Sequence, residues 1–383
     1  MNKHKKRHIV VVNAIYPPDR GASGRASYQL VQSLRERNFH VTILTTDKSY
    51  NDGVSCADDD PKIIRIKSRA NRNSYWKRFF TSFLDSRALL KKCAKIEDVD
   101  AFILCTDPPF LSYLAPGYLK EKKLLIWAMD LYPEAFIAKN FISHDSWITK
   151  HYHRKIKQPK NQRTITLGQG QHNYLASKKV LNTYDPIIIP CGLISPSSGS
   201  SKKPDWKQSE KVTFGYIGNL GEAHSASFLK DLITKSDPEK HHFVLRIFGQ
   251  KAKSLIKSFK GLPHVTTLNW INEDELCYID IQIVSLLSKW THICVPSKAV
   301  SAICCHTPIL FHGSSKGDTY RQFKSAMWFI NDGDDINAGI EQFYASLQKE
   351  EVLIKKREAS LAAEKIKKLY QAGIDQLEEF LSL

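Results

Sequence analysis

The 383 residues, 42% hydrophobic and 25% charged, have the balance of an ordinary globular chain with room for two or three domains, each burying its own core. The formal net charge of +17 is not ordinary and points to a polyanionic partner: a nucleotide, a nucleic acid or an anionic membrane face. No run reaches the ~18 apolar residues of a membrane span, and the basic start MNKHKKRH leads into a motif-bearing loop rather than a signal-peptide cleavage site. Eight scattered cysteines without a C-x-x-C pair read as reduced, buried thiols of a cytoplasmic protein. Cys304-Cys305-His306 lacks a second ligand cluster, so no metal site is expected.

His8 to Val12 reads as a strand buried on both faces of a parallel sheet. The loop Tyr16 to Gly24 follows, then a helix marked by Ala26, Leu30 and Leu34, then a strand from Val41 to Leu44. This is a βαβ unit, and its glycines let backbone amides approach a ligand. Ile63 to Ile66 is a third strand. From Ser74 to Ile96 the spacing predicts a helix with Trp76, Phe79, Phe80, Phe83 and Leu90 on one face and many lysines and arginines beside it. That pattern suits a helix lying on an anionic bilayer, or a core-packed helix with a solvated outer face.

Ala101 to Cys105 and Leu124 to Met129 read as strands ending in Thr106-Asp107-Pro108-Pro109 and Asp130-Leu131-Tyr132-Pro133-Glu134. Acidic residues at the carboxyl ends of parallel strands stand where such sheets bind ligands. Thr164 to Leu167 and Ile187 to Ile189 continue the alternation, and Ser195 to Pro204 is a linker by composition. Beyond it, strands are expected at Val212 to Ile217, Phe243 to Phe248, Val265 to Leu268 and Ile281 to Leu286. The first runs into the turn Gly218-Asn219-Leu220-Gly221.

The stretch Cys294 to Gly313 then reads as a turn at Pro296-Ser297, a helix from Lys298 to Cys305 and a buried strand Pro308 to Phe311. Ser297 is expected to cap the helix's free amides, and Lys298 adds a full positive charge there. A diphosphate would be held well by such an arrangement. A strand from Trp328 to Ile330 and a helical pattern from Ile336 to Leu383 close the chain. Two α/β halves around one linker predict a ligand crevice between them.

Five segments in order carry a resemblance: Asn13 to Arg25, Thr106 to Phe110, Trp127 to Glu134, Gly215 to His224 and Val295 to Lys298. Together they resemble the family 4 glycosyltransferases, most of all bacterial enzymes of surface-polysaccharide assembly. The resemblance implies an α/β, GT-B fold of two Rossmann-like domains with parallel sheets facing a central cleft. The expected parts are residues 1–194 on the acceptor side, a linker at 195–210, a nucleotide-sugar domain at 211–345 and a C-terminal helical segment at 346–383 packing back toward the first domain.

It further implies a retaining, metal-independent sugar transfer from a nucleotide sugar to a glycan or lipid-linked acceptor, at the inner face of the cytoplasmic membrane. No cofactor is expected, because the nucleotide sugar is a substrate. Asp130 and Glu134 are the candidate catalytic residues. Gly218, Asn219, Leu220, Gly221, Lys289, Pro296, Ser297, Lys298 and Ser301 are the candidate donor site. Arg20, Gly21, Ala22, Ser23 and Gly24 are expected to face the sugar and acceptor. The family's paired acids would fall at positions 293 and 301, where this chain has Ile293 and Ser301. A basic pair after the first strand of the second half is replaced by Asn219 and Ala223, and the glycine near the helix end by His306. Those departures keep a second reading open, a GT-B scaffold partner with degraded donor chemistry. Nucleic-acid binding rests on charge alone.

Overall fold

A computed structural model of the chain describes residues 6–19, 21–47, 62–69, 75–156, 162–178, 180–181, 186–195, 202–249 and 251–383. It divides into two compact units: Met1–Cys191 with Leu369–Leu383, and Gly192–Lys368.

In the first unit, strands β1 (His8–Val12), β2 (His40–Thr46), β3 (Ile63–Ile66), β4 (Ala101–Cys105), β5 (Lys123–Trp127), β6 (Gln162–Thr166) and β7 (Ile187–Ile188) form one parallel sheet in the order β3-β2-β1-β4-β5-β6-β7. Between them run α1 (Ala22–Glu36), α2 (Tyr75–Cys93), α3 (Leu111–Tyr118), α4 (Glu134–Ala138), α5 (Trp147–Ile156) and α6 (Gln169–Ser177). The central strands are buried apolar runs because helices cover both faces. Strand order reverses at β1, which puts the ends of β1 and β4 at a switch point, where open α/β sheets bind ligands.

The second unit repeats this plan. Strands β8 (Val212–Asn219), β9 (His241–Phe248), β10 (Val265–Thr267), β11 (Ile281–Ser285), β12 (Ile309–Gly313) and β13 (Met327–Asn331) lie parallel in the order β10-β9-β8-β11-β12-β13. Its helices are α7 (Ala226–Thr234), α8 (Ala252–Ser258), α9 (Ser297–Cys304), α10 (Asp318–Phe323), α11 (Ile336–Ser346) and α12 (Lys349–Ser382), the last crossing into the first unit at Leu369. Phe214, Phe228, Phe243 and Ile283 lead its core.

The single helical pattern expected from Ile336 to Leu383 is two helices, interrupted at Leu347 and Gln348. Within the first unit, the end of α12 lies so close on β7 that a Cβ on Gly373 would fall 2.0 Å from the Ile188 carbonyl oxygen. Arg37, just past the end of α1, holds the same stretch through Asp375 at 2.6 Å and Glu378 at 2.9 Å. The linker expected at Ser195 to Pro204 lies for the most part outside the described residues.

Part of the aromatic face of α2 packs inward rather than lying open for a bilayer. Phe79 meets Phe110 edge-on with ring centroids 4.9 Å apart, Phe83 meets the same ring at 5.6 Å, and Leu90 is fully buried. Phe136 and Tyr152 complete that cluster, and burying each such ring contributes about 1.5–3 kcal/mol. Only periodicity is visible in the sequence of α2, and α3, α4 and α5 supply the rings that cover it. Phe80 is 62% exposed, and the Trp76 side chain lies outside the described residues.

Candidate functional site

The residues that gather around an unpaired charge belong to the second unit. β8 nears its end at Gly218, which has φ +133°, a backbone state L side chains avoid. The missing side chain makes room for another residue, since a Cβ there would stand 3.7 Å from Lys298 Cε. Lys298 comes from the first turn of α9. Its Nζ donates to Tyr216 Oη at 2.8 Å and to the Asn219 carbonyl at 2.9 Å, and lies 3.4 Å from His224 Nε2. The same Nζ stands 4.2 Å above the Tyr216 ring, in cation–π contact.

The ammonium's three donors thus face three neutral acceptors and no carboxylate. Burial lowers its pKa to about 7, opposed only by the nearby Cys294 thiol. Tyr216 stays a neutral phenol because burial raises its pKa far above the usual range.

His224 is the other half of this arrangement. Its Nδ1 bonds with the Ser285 carbonyl, which only accepts, so Nδ1 carries the proton and Nε2 accepts toward Lys298. Burial first, then Lys298, lowers its pKa to about 3, so the ring is neutral at physiological pH. Lys251, just past β9, donates to the His224 backbone carbonyl at 3.3 Å and lies 3.9 Å from Glu222. Two lysines therefore converge on one residue, with the amino end of α9 beside them. Such a cluster attracts phosphate oxygens.

Pro296 is the N-cap of α9, with φ −58° and ψ 110°. No side chain caps the helix, so the cap expected of Ser297 is corrected: Ser297 is the first helical residue, and it packs on Gly192. Gly192 has φ +100°, and a Cβ there would lie 2.5 Å from the Ser297 carbonyl oxygen. Ser301 Oγ donates to the Gly192 carbonyl at 2.6 Å, so the hydroxyl at the family's acid position is already engaged. Ile293, at the other acid position, is a core residue at 5% exposure, and Lys289 lies exposed in a short 3-10 turn.

In the loop after β8, the Leu220 amide is taken by the Phe248 carbonyl at 2.8 Å. A Cβ on Gly249 would fall 2.2 Å from Asn219 Oδ1, so the Asn219 side chain lies against the turn after β9. Gly221 stands next to Asn219 Nδ2, at 3.1 Å from a Cβ placed on it.

His306 adopts φ +57° just past α9. The His306 amide bonds to the Ile303 carbonyl and the Thr307 amide to that of Ala302, a Schellman end in which glycine is the usual residue.

In the first unit, Arg20 lies outside the described residues. Gly21 precedes α1, and its amide bonds to Asp19 Oδ1 at 2.9 Å. A Cβ on Gly24 would lie 2.9 Å from Ile15 Cγ2, so this glycine serves close packing of α1 on the loop. Asn13 Nδ2 holds the Ser23 carbonyl at 3.1 Å, and the Ala22 carbonyl faces Cys191 Sγ at 3.8 Å.

Asp130 follows β5, with its amide on Thr106 Oγ1 at 3.0 Å, and burial raises its carboxyl pKa against the pull of Lys139. Glu134 is buried and pairs with His153 Nε2 at 2.9 Å through Oε1. Among the described residues, no group of three or more His, Cys, Asp or Glu side chains could hold a metal ion.

Tyr216 and His224 stand inside a segment that carried the resemblance, without a role assigned to either. Lys251 was missed altogether. It lies 47 residues from Lys298 in sequence, with no motif connecting them, and only the pairing of β8 with β9 joins its loop to theirs.

The chain has the GT-B fold: two Rossmann-like units, each built on a parallel sheet. Among solved structures it is similar to a sucrose-phosphate synthase from Thermosynechococcus elongatus, with a TM-score of 0.70 and 13% identity over 98% of each chain. It is similar to WaaG, a glycosyltransferase involved in lipopolysaccharide biosynthesis, with a TM-score of 0.66 and 12% identity over 96% of this chain and 98% of that one. The third is HepE from Anabaena in complex with UDP and glucose, with a TM-score of 0.64 and 12% identity over 97% of this chain and all of that one. Likeness at this identity establishes the fold. No protein-family model and no curated protein sequence matches the chain.

Proposed function

We propose that the protein is a glycosyltransferase that moves a sugar from a nucleoside-diphosphate donor to a glycan or lipid-linked acceptor, with retention of configuration and without a metal. The observation that carries this reading is Lys298: a half-buried ammonium with only neutral partners, at the amino end of α9 and beside the loop after β8. An incoming phosphate oxygen would replace the longest of its contacts, that to His224, and supply the missing negative charge. As the bond to the sugar breaks, charge grows on the leaving diphosphate. Lys298, Lys251 and the free amides of α9 would stabilise it from fixed positions. Neutral His224 keeps its Nδ1 proton on Ser285 and adds no competing charge.

Asp130 is the proposed acid–base or hydrogen-bonding group on the acceptor side, its carboxyl already poised upward by burial. Buried Glu134 would act through His153 as a positioning residue. The solved neighbours support the reading, since the HepE structure holds UDP and glucose and WaaG is a glycosyltransferase of lipopolysaccharide biosynthesis. A lipid-linked acceptor would place the enzyme peripherally at the cytoplasmic face of a membrane.

The test is a thermal-shift panel of UDP, GDP, CMP and their sugars, followed by an assay of donor hydrolysis. Saturation at a hundred times Kd adds about 2.7 kcal/mol of stability. Binding without turnover would favour the scaffold reading, and no binding to any nucleotide would overturn both.

A further inference from the structure

We propose that the outward face of α5 is a docking surface for an anionic lipid bilayer, with Trp147 and Ile148 as the inserting residues. The helix is held rigidly from below. Tyr152 is 4% exposed and donates through Oη to the Pro109 carbonyl at 3.1 Å, Thr149 is 2% exposed and donates to the Ser143 carbonyl at 2.8 Å, and Ile156 packs on the aromatic cluster beneath. With Thr149, Tyr152 and Ile156 inward, helical spacing turns Trp147, His151 and Arg154 outward, flanked by Ile148 and Lys155.

Trp147 is 76% exposed and Ile148 43% exposed, next to each other at one end of the helix. Lys150, Arg154 and Lys155 are exposed along the rest of it; the acidic neighbours among the described residues are exposed Asp145 just before the helix and buried Glu134, which pairs with His153. Lys155 also lies over the Tyr113 ring, with Nζ 4.5 Å from its centroid.

An indole with an apolar body and a polar N–H partitions to the level of lipid headgroups. Cations beside it meet anionic phosphates at the same depth. A protein-binding surface differs: its centre is depleted in lysine and its apolar patch is broader. Two adjacent apolar side chains at the end of a helix lined with cations fit an interface with lipid better. This face is separate from the side of α2 that carries Phe79, Phe83 and Leu90, which is packed inward.

The inference deepens the proposed function by naming where a lipid-linked acceptor would be met. Its test uses no donor, so its failure and a failure to bind nucleotides are read separately. The full chain is sedimented with vesicles of phosphatidylglycerol and phosphatidylcholine, and with phosphatidylcholine alone. Binding to the anionic vesicles, released by high salt, is expected. Arg154→Gln and Lys155→Gln should each weaken it about fivefold. Trp147→Ser with Ile148→Ser should weaken it tenfold or more while the melting temperature stays unchanged, and Phe80→Ser should leave binding in place.

Absence of vesicle binding would overturn the proposal. So would equal binding to neutral vesicles, or full binding by the Trp147/Ile148 double variant. Retention on polyglutamate beads without vesicle binding would assign the face to an acidic polypeptide instead and overturn it as well.

Discussion

His224 Nε2 lies 3.4 Å from Lys298 Nζ, and because His224 spends its only proton on the Ser285 carbonyl, it meets the lysine as a neutral acceptor. A carboxylate in that place would have neutralised the ammonium. The imidazole leaves its charge available to a ligand.

Lys298→Ala should therefore weaken nucleoside-diphosphate binding about tenfold or more, because a charge-assisted contact is worth roughly 1.5–3 kcal/mol. Titration calorimetry measures it, and unchanged affinity would sink the donor-site assignment. With the free lysine at about 7, affinity of the wild type should fall as pH rises above that value. The sign for stability is the reverse. A lysine lowered from 10.5 binds its proton more weakly in the folded state, so stability from this group rises with pH between about 7 and 10.5. Lys298→Met should accordingly melt higher than wild type at pH 6, and the gap should shrink toward pH 10.

Ser301→Glu should not rebuild a ribose-binding acid. The Ser301 hydroxyl donates to the Gly192 carbonyl, and a carboxylate would set two acceptors against each other at that point. Loss of that bond and crowding against Gly192 should cost about 1–3 kcal/mol of stability. Denaturant unfolding and nucleotide titration check this. A clear gain in nucleotide affinity, with no transfer or hydrolysis by wild type, would overturn the enzyme reading.

His306→Gly should stabilise the second unit by about 0.5–1 kcal/mol. The left-handed conformation costs an L residue about 1–2 kcal/mol, part of which glycine returns through its larger unfolded-state entropy. His306 is exposed, so little packing is lost with its ring. A fall in the urea midpoint would contradict this account of the helix end.

Asp280→Asn should destabilise the protein by about 2 kcal/mol, since hydrogen bonds to a charged group at a half-buried site are worth roughly 1.5–3 kcal/mol. Asp280 bonds Lys207 and the Thr213 amide through one oxygen and Lys356 through the other, at 2.7 Å. Burial pushes its pKa up, but Lys356 and Lys207 outweigh burial and hold it below 3.8. Its contribution is complete above 3.8 and lost as pH falls through the lowered folded value. Wild type and variant melting temperatures should differ at pH 7 and converge in strong acid.

The strand at His8 to Val12, the apolar runs at Ala101 and Ile281 and the restart of the pattern at Val212 were legible without a structure. A strand buried on both faces has to be a short, nearly unbroken apolar run, and that signal is local. Lys298 was legible for the same reason, through its place just after Pro296 and Ser297. The charge of Lys298 was local too, but its value as a ligand depends on what surrounds it. Tyr216, Asn219, His224 and Lys251 come together only because β8 pairs with β9 and β11 and the helix α9 starts beside them. The inward turn of Phe79, the engagement of Ser301 by Gly192 and the left-handed turn at His306 were likewise decided by tertiary structure. Each depends on a partner brought close by packing, or on a backbone conformation that residue type alone does not impose.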